Sequence, residues 1–309
     1  MTGSRLRIGI DLGGTKIAGI AMAADGSVVT KDRVATPRED YEGSLEAIAA
    51  LVARLGGACR TAASVGVGIP GSISPATGLA QNGNSVWLNG RPLGTDLERR
   101  LGRPVRLAND ADCFTLSEAF DGAARDARTV FGVIIGTGCG GGIVVDNRLV
   151  TGPHNTGGEW GHMPLPWPRE EETDGPDCWC GRRSCMETWV SGPALARDHA
   201  RVTGKTLSPP QIVAAAGTGE PGAAATIARH GDRLARGLAV IVNLIDPDVI
   251  VLGGGLSNLS HLYQVLPGLM EPHIFADACR ITIRPPVHGD ASGVRGAARL
   301  WPARADAGR

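Results

Sequence analysis

Asp11-Leu12-Gly13-Gly14-Thr15-Lys16 lies between two apolar, strand-like runs, Leu6 to Ile10 and Ile17 to Met22. No other stretch limits the possible folds as much. Two glycines at a strand-to-strand bend let backbone N–H groups point at an anion, because no Cβ blocks the approach. Thr15 adds a hydroxyl donor and Lys16 a cation. Asp11 adds a carboxylate suited to holding Mg2+ through water beside phosphates. A plain hairpin with an exposed lysine is the competing reading. The Walker spacing is absent, and the following segment reads as strand rather than helix.

A second turn, Gly136-Thr137-Gly138-Cys139-Gly140-Gly141-Gly142, has the same setting. It follows the run Val130 to Ile134 and precedes Ile143 to Val145. The two regions align loosely as strand, glycine turn, strand, short turn (Asp25-Gly26 or Asp146-Asn147) and a further apolar pair. Two such turns in corresponding places predict a duplicated unit with a nucleotide between its halves. The third turn, Gly253-Gly254-Gly255, follows the buried-type strand Val249 to Leu252. Carboxyl ends of such strands are where α/β sheets bind ligands.

A length of 309 residues predicts two domains. Residues 1–115, completed by a C-terminal helix within 292–309, are expected to form the first. Residues 116–291 form the second, with an insertion at about 151–191. The 45 glycines are about twice the usual share and fall in turns, so they read as backbone geometry rather than disorder. Basic and acidic residues balance at 31 each, and no basic block points to nucleic acid or a membrane surface. Met1 to Arg7 has no long apolar stretch, and no run reaches the length of a membrane span. A cytoplasmic protein is expected, in which seven cysteines call for something other than disulfides.

Leu6 to Val34 reads as an antiparallel meander, and Tyr41 to Leu55 as a helix with Leu45, Ile48, Leu51, Val52 and Leu55 on one face. The strand Val65 to Ile69 is closed by Pro70-Gly71. Ser72 to Gly94 reads as a long polar loop carrying Asn82, Asn84, Ser85 and Asn89 near Trp87, either functional or ordinary surface. A short helix at Asp96 to Leu101 and a strand at Val105 to Ala108 lead to Asn109-Asp110 and a helix from Asp112 to Ala124. Asp110 and Asp112 there are either caps or a carboxylate aimed at a substrate hydroxyl, and Asp112 is the expected cap in either case. Further helices are expected at Pro193 to Ala200, Pro209 to Ala216, Ala223 to Ile245, Leu259 to Met270 and Ser292 to Trp301. A strand is expected at Arg280 to Arg284, with fraying beyond Ala303.

Thr151 to Ser191 reads as the insertion. It holds Cys178-x-Cys180-x4-Cys185, with His162 upstream. Three thiolates and an imidazole make the closed Cys3His set of structural Zn2+; inert thiols or a redox pair are the rivals. Glu159 and Glu187 lie close in sequence to these ligands. They are either solvated surface residues or acceptors for sugar hydroxyls. Cys59, Cys113, Cys139 and Cys279 are dispersed and read as core or loop residues.

Together these motifs resemble the repressor/ORF/kinase (ROK) family of sugar kinases, from about Arg7 to Trp301. The three turns are similar to the phosphate, second-phosphate and adenosine motifs of the actin-like sugar-kinase superfamily. The resemblance implies a two-domain α/β fold of the duplicated, ribonuclease H-like kind, with an ATP cleft between the domains and a zinc-binding insertion. It implies Asp110 as general base and Gly71, Asn84, Asn109, Asp110, Glu159, His162 and Glu187 as sugar contacts. ATP and Mg2+ fall to Asp11, Gly13, Gly14, Thr15, Lys16, Gly136, Thr137, Gly138, Gly253, Gly254 and Gly255, and structural Zn2+ to His162, Cys178, Cys180 and Cys185. The halves are expected to close over the sugar, and a homodimer is expected. Gly68 to Ser72 and Glu159 to Trp167 look most like bacterial fructokinases that also accept mannose. Fructose is therefore the expected acceptor, ahead of mannose, glucose, N-acetylglucosamine and N-acetylmannosamine. Some family members are sugar-sensing repressors with an N-terminal helix-turn-helix, for which the turn at Asp11 is expected to leave no room. One departure is Ser184, where the family usually has glycine before the last cysteine.

Overall fold

The computed structural model describes residues 6–57 and 63–301. Cys59 and the frayed end expected beyond Ala303 lie outside the described residues. The chain divides into two compact units. The first comprises Met1–Asp121, Arg148–Gly157 and Asp290–Arg309; the second comprises Gly122–Asn147 and Gly158–Gly289.

In the first unit, β1 (Arg7–Leu12), β2 (Lys16–Met22) and β3 (Val28–Ala35) form the antiparallel meander. On its other side β1 pairs in parallel with β4 (Ser64–Ile69), and β4 with β7 (Val105–Asn109), giving the order β3-β2-β1-β4-β7. Helix α1 (Tyr41–Gly57) buries the apolar face read from its spacing, Leu45, Ile48, Leu51, Val52 and Leu55. Helix α9 (Ser292–Arg299) packs on β1, β2 and β4. Its approach needs Gly66, where a Cβ would stand 2.0 Å from the Ala297 carbonyl oxygen. Beyond it, the Trp301 indole donates to the Val65 carbonyl at 2.6 Å.

The segment expected to be a long loop holds a small ribbon, β5 (Ser72–Ile73) with β6 (Ala80–Gln81), and helix α2 starts early, at Leu93–Leu101. Residues 151–157, expected within the insertion, are tied to this ribbon in the first unit. Asn155 Nδ2 donates to the Ile73 carbonyl, and Gln81 Nε2 to the His154 carbonyl. They follow the two-residue strand β10 (Arg148–Leu149).

In the second unit β8 (Thr129–Ile135) pairs antiparallel with β9 (Cys139–Val145) and parallel with β11 (Val249–Gly253), which pairs with β12 (Ile283–Arg284). This order, β9-β8-β11-β12, repeats the pattern of β2-β1-β4-β7: one antiparallel neighbour, then two parallel ones. Around it lie α4 (Glu187–Val190), α5 (Gly192–Thr203), α6 (Pro209–Gly217), the long α7 (Pro221–Ile245) and α8 (Leu262–Met270). Among the described residues, no helix is long and apolar enough to cross a membrane.

Sequence reasoning missed a buried ionic cluster in this unit. Glu172, 3 % exposed, accepts from Arg233 Nε at 2.7 Å and Arg236 Nη2 at 2.8 Å. Arg233 also reaches Asp198 at 3.2 Å, and its guanidinium lies over the Trp189 ring. Burial raises the Glu172 carboxyl pKa, but the Arg169 N–H and the two guanidiniums bring it below its ordinary value. The cluster pins the insertion to α7, because a buried charge needs its partners.

Candidate active site

The first glycine turn is the β1–β2 connection. Gly13 N–H donates to the Lys16 carbonyl at 3.1 Å, while Gly14, Thr15 and Lys16 are exposed. Thr36, which the sequence did not single out, holds the turn from behind. Its hydroxyl donates to the Gly13 carbonyl at 2.7 Å and its N–H to that of Thr15.

Asp11 is the penultimate residue of β1, beside this turn. Burial, then the charge of Asp110, push its carboxyl up to about 6 against an opposing pull from Lys16. Asp110 is the first residue of helix α3 (Asp110–Phe120). The cap is Asn109, whose Oδ1 accepts from Ala111 N–H at 2.8 Å. The expectation that Asp112 caps this helix is therefore corrected: it lies buried within the first turn. β7 runs straight into α3, so the extended residue at the junction takes the capping role. Asn109 Nδ2 also donates to the Gly71 carbonyl at 3.0 Å, tying the strand end to the Pro70-Gly71 bend. Asp110 Oδ1 accepts from Ala111 N–H; the residue is exposed at the helix start, and desolvation of the carboxylate raises its pKa despite that bond. Asn84 is exposed on the segment after β6.

The second glycine turn is shorter than its sequence. Gly136 N–H donates to the Gly138 carbonyl at 3.0 Å, whereas Gly140, Gly141 and Gly142 belong to β9. The third turn meets it: Gly255 N lies 3.9 Å from where a Gly136 Cβ would stand. Gly254 takes φ +80°, and a side chain there would run into the Ile135 backbone. Gly136, Thr137, Gly138 and Gly253 to Gly255 thus form one cluster of turns at the ends of β8 and β11.

Glu187 opens α4 and reaches this cluster. Its Oε2 accepts from Cys139 N–H at 2.9 Å and its Oε1 from Trp179 Nε1 at 2.6 Å. Burial, followed by the charges of Glu187 and then Glu159, pushes the Cys139 thiol pKa well up. Glu159 precedes the 3-10 turn Trp160–His162, which orients His162.

The donor atoms of His162, Cys178, Cys180 and Cys185 all lie within 4.8 Å of one another. His162 Nδ1 is 3.6 Å from Cys178 Sγ, and Cys180 Sγ is 3.7 Å from Cys185 Sγ. A tetrahedron with Zn–S and Zn–N bonds of usual length has edges of about 3.8 Å and about 3.5 Å, so these donors fit that ion. Ser184, before the last cysteine, adopts φ +58°, a conformation in which any Cβ is strained. Its hydroxyl accepts from Trp189 Nε1 at 3.1 Å.

Paired glycine turns on two sheets of repeated order define the two-domain actin-like sugar-kinase fold. Comparison with known proteins agrees. The ROK family matches residues 7–304, and the chain belongs to that family. It is 36 % identical to the N-acetyl-D-glucosamine kinase of Pasteurella multocida over 301 residues, 96 % of this chain and 99 % of that one. It is 40 % identical to the N-acetyl-D-glucosamine kinase of Erwinia tasmaniensis over 296 residues, 94 % and 98 % of the two chains. Among solved structures, the ROK hexokinase from Thermus thermophilus superposes with a TM-score of 0.84 at 30 % identity, covering 95 % of this chain and 96 % of that one. The ROK family glucokinase from Streptomyces griseus, in complex with glucose and AMPPNP, gives 0.75 at 28 % identity, covering 96 % and 98 %.

Proposed function

We propose that this ATP-dependent sugar kinase phosphorylates the 6-hydroxyl of N-acetyl-D-glucosamine, with Asp110 as general base. The observation that carries the assignment of the base is the placement of Asp110: an accessible carboxylate at the first position of α3, its proton affinity raised by desolvation, whose charge also raises that of Asp11. The acceptor follows the relatives. Resemblance at Gly68 to Ser72 and Glu159 to Trp167 points to fructose, but relatives matched along nearly their whole length are named N-acetyl-D-glucosamine kinases.

Asp110 takes the proton of the acceptor hydroxyl as its oxygen bonds to the γ-phosphorus and the bond to the ADP oxygen breaks. Positioning and charge stabilisation are most of what such a transfer needs. Gly13 to Lys16 and Gly136 to Gly138 offer backbone donors and a cation to the phosphates, and Gly253 to Gly255 meet the adenosine. Asp11 would hold Mg2+, which would supply charge neutralisation at the phosphates. Asn109, Glu159, His162 and Glu187 are assigned to sugar hydroxyls, and Gly71 and Asn84 to the sugar's surroundings. We assign zinc to His162, Cys178, Cys180 and Cys185, where it fixes the loop. With Nδ1 of His162 facing Cys178, Nε2 remains for the sugar.

Initial rates at subsaturating sugar, with ATP and Mg2+ saturating, test the acceptor. N-acetylglucosamine is expected to give the highest kcat/KM in a panel with fructose, mannose, glucose and N-acetylmannosamine. If fructose or glucose outruns it, the acceptor is misassigned and the kinase assignment stands.

A further inference from the structure

Trp179 lies between two of the four metal-type donors, Cys178 and Cys180, and is 53 % exposed. A half-exposed indole in a polar loop has no core to fill. Its ring meets the His162 ring edge-on, with centroids 5.1 Å apart and planes at 85°. Its Nε1–H points at Glu187 Oε1 at 2.6 Å, a short, charge-assisted bond. The other oxygen of Glu187 is held by Cys139 N–H at 2.9 Å, and a Cβ on Gly138 would stand 2.7 Å from it. Both oxygens are thus fixed by single donors. A carboxylate has about four acceptor positions, so about two remain for a ligand.

We propose that Trp179 is a positioning residue that sets the Glu187 carboxylate for the sugar, so that the metal loop controls sugar affinity through one indole N–H. This rests on the reading of Glu187 as a sugar ligand. The mechanical path is short. His162, Cys178 and Cys180 fix the backbone and one ring edge of Trp179, and its N–H then removes the torsional freedom of Glu187. A side chain held in its binding rotamer loses less entropy when the ligand arrives.

The test measures N-acetylglucosamine binding by calorimetry without nucleotide, together with zinc content and steady-state kinetics. Trp179→Phe keeps an aromatic edge and removes the donor. It is expected to keep its zinc, lose about tenfold in sugar affinity with KM rising to match, and leave kcat and the KM for ATP little changed. Trp179→Tyr restores a donor and is expected to recover part of the affinity. Glu187→Ala is expected to weaken binding by itself, and adding Trp179→Phe to it should change little more. If Glu187→Ala binds sugar normally, the reading of Glu187 fails and the proposal falls with it. If Glu187→Ala weakens binding but Trp179→Phe does not, or if the two effects simply add, the proposal alone is overturned. Loss of zinc from both the Phe and Tyr variants also overturns it, since the indole would then serve the loop and not the carboxylate.

Discussion

Asp11 and Asp110 are electrostatically coupled in the first unit: burial pushes the Asp11 carboxyl up to about 6, and the charge of Asp110 adds to that effect. A carboxyl with a folded pKa above its ordinary value of 3.8 binds its proton more tightly in the fold. Its contribution to stability is therefore present at low pH and is lost as pH rises from about 4 through about 6. The loss amounts to about 3 kcal/mol at neutral pH. Asp11→Asn is expected to melt at higher temperature than wild type at pH 7 without Mg2+, with the gap closing toward pH 4, and to lose kinase activity. Melting curves that shift in parallel with pH would refute the coupling.

Asp110→Asn keeps an oxygen to accept from Ala111 N–H, so α3 is expected to stay intact. Turnover should fall about a hundredfold to ten-thousandfold, the usual contribution of a positioned base. Coupled assays beside melting and ATP-binding controls decide it. A folded variant with near-wild-type kcat removes Asp110 from the chemistry.

Cys180→Ser is expected to remove one zinc per chain, read by elemental analysis of protein purified without added metal. Sugar affinity should fall with it, because Glu159 and Glu187 depend on the same loop for their placement. Wild-type protein free of zinc yet fully active would show that these four residues hold no metal needed for function.

Glu172→Gln leaves Arg233 and Arg236 buried without their shared anion. Removing one member of such a cluster typically destabilises by about 3–5 kcal/mol. Urea unfolding should show that loss. A change under about 1 kcal/mol, the range of exposed pairs, would mean that water reaches the cluster.

What the sequence determined by itself was local. Glycine turns after apolar runs marked β1, β8 and β11, since only a small set of residues can turn a strand back while exposing N–H groups. The apolar spacing of α1 reported its buried face, because 3.6 residues per turn is a property of the backbone. Cysteine and histidine spacing marked the metal-type cluster, since short chain separations bound the distances between donors. Local rules failed at Asp112: the cap moved to Asn109 because β7 leads directly into the helix, and at Gly140 to Gly142, which pairing with β8 drew into a strand.

Only tertiary structure decided the rest. Thr36 behind the first turn, Glu172 beneath α7 and Trp179 against Glu187 carry no signal in the chain, because each acts on a partner remote in sequence or through a side-chain direction that the loop fixes. The raised proton affinity of Asp11 comes from burial and from Asp110, almost a hundred residues away. Charge, burial and hydrogen-bond geometry depend on what folding brings near, and sequence spacing sets that only over a few residues.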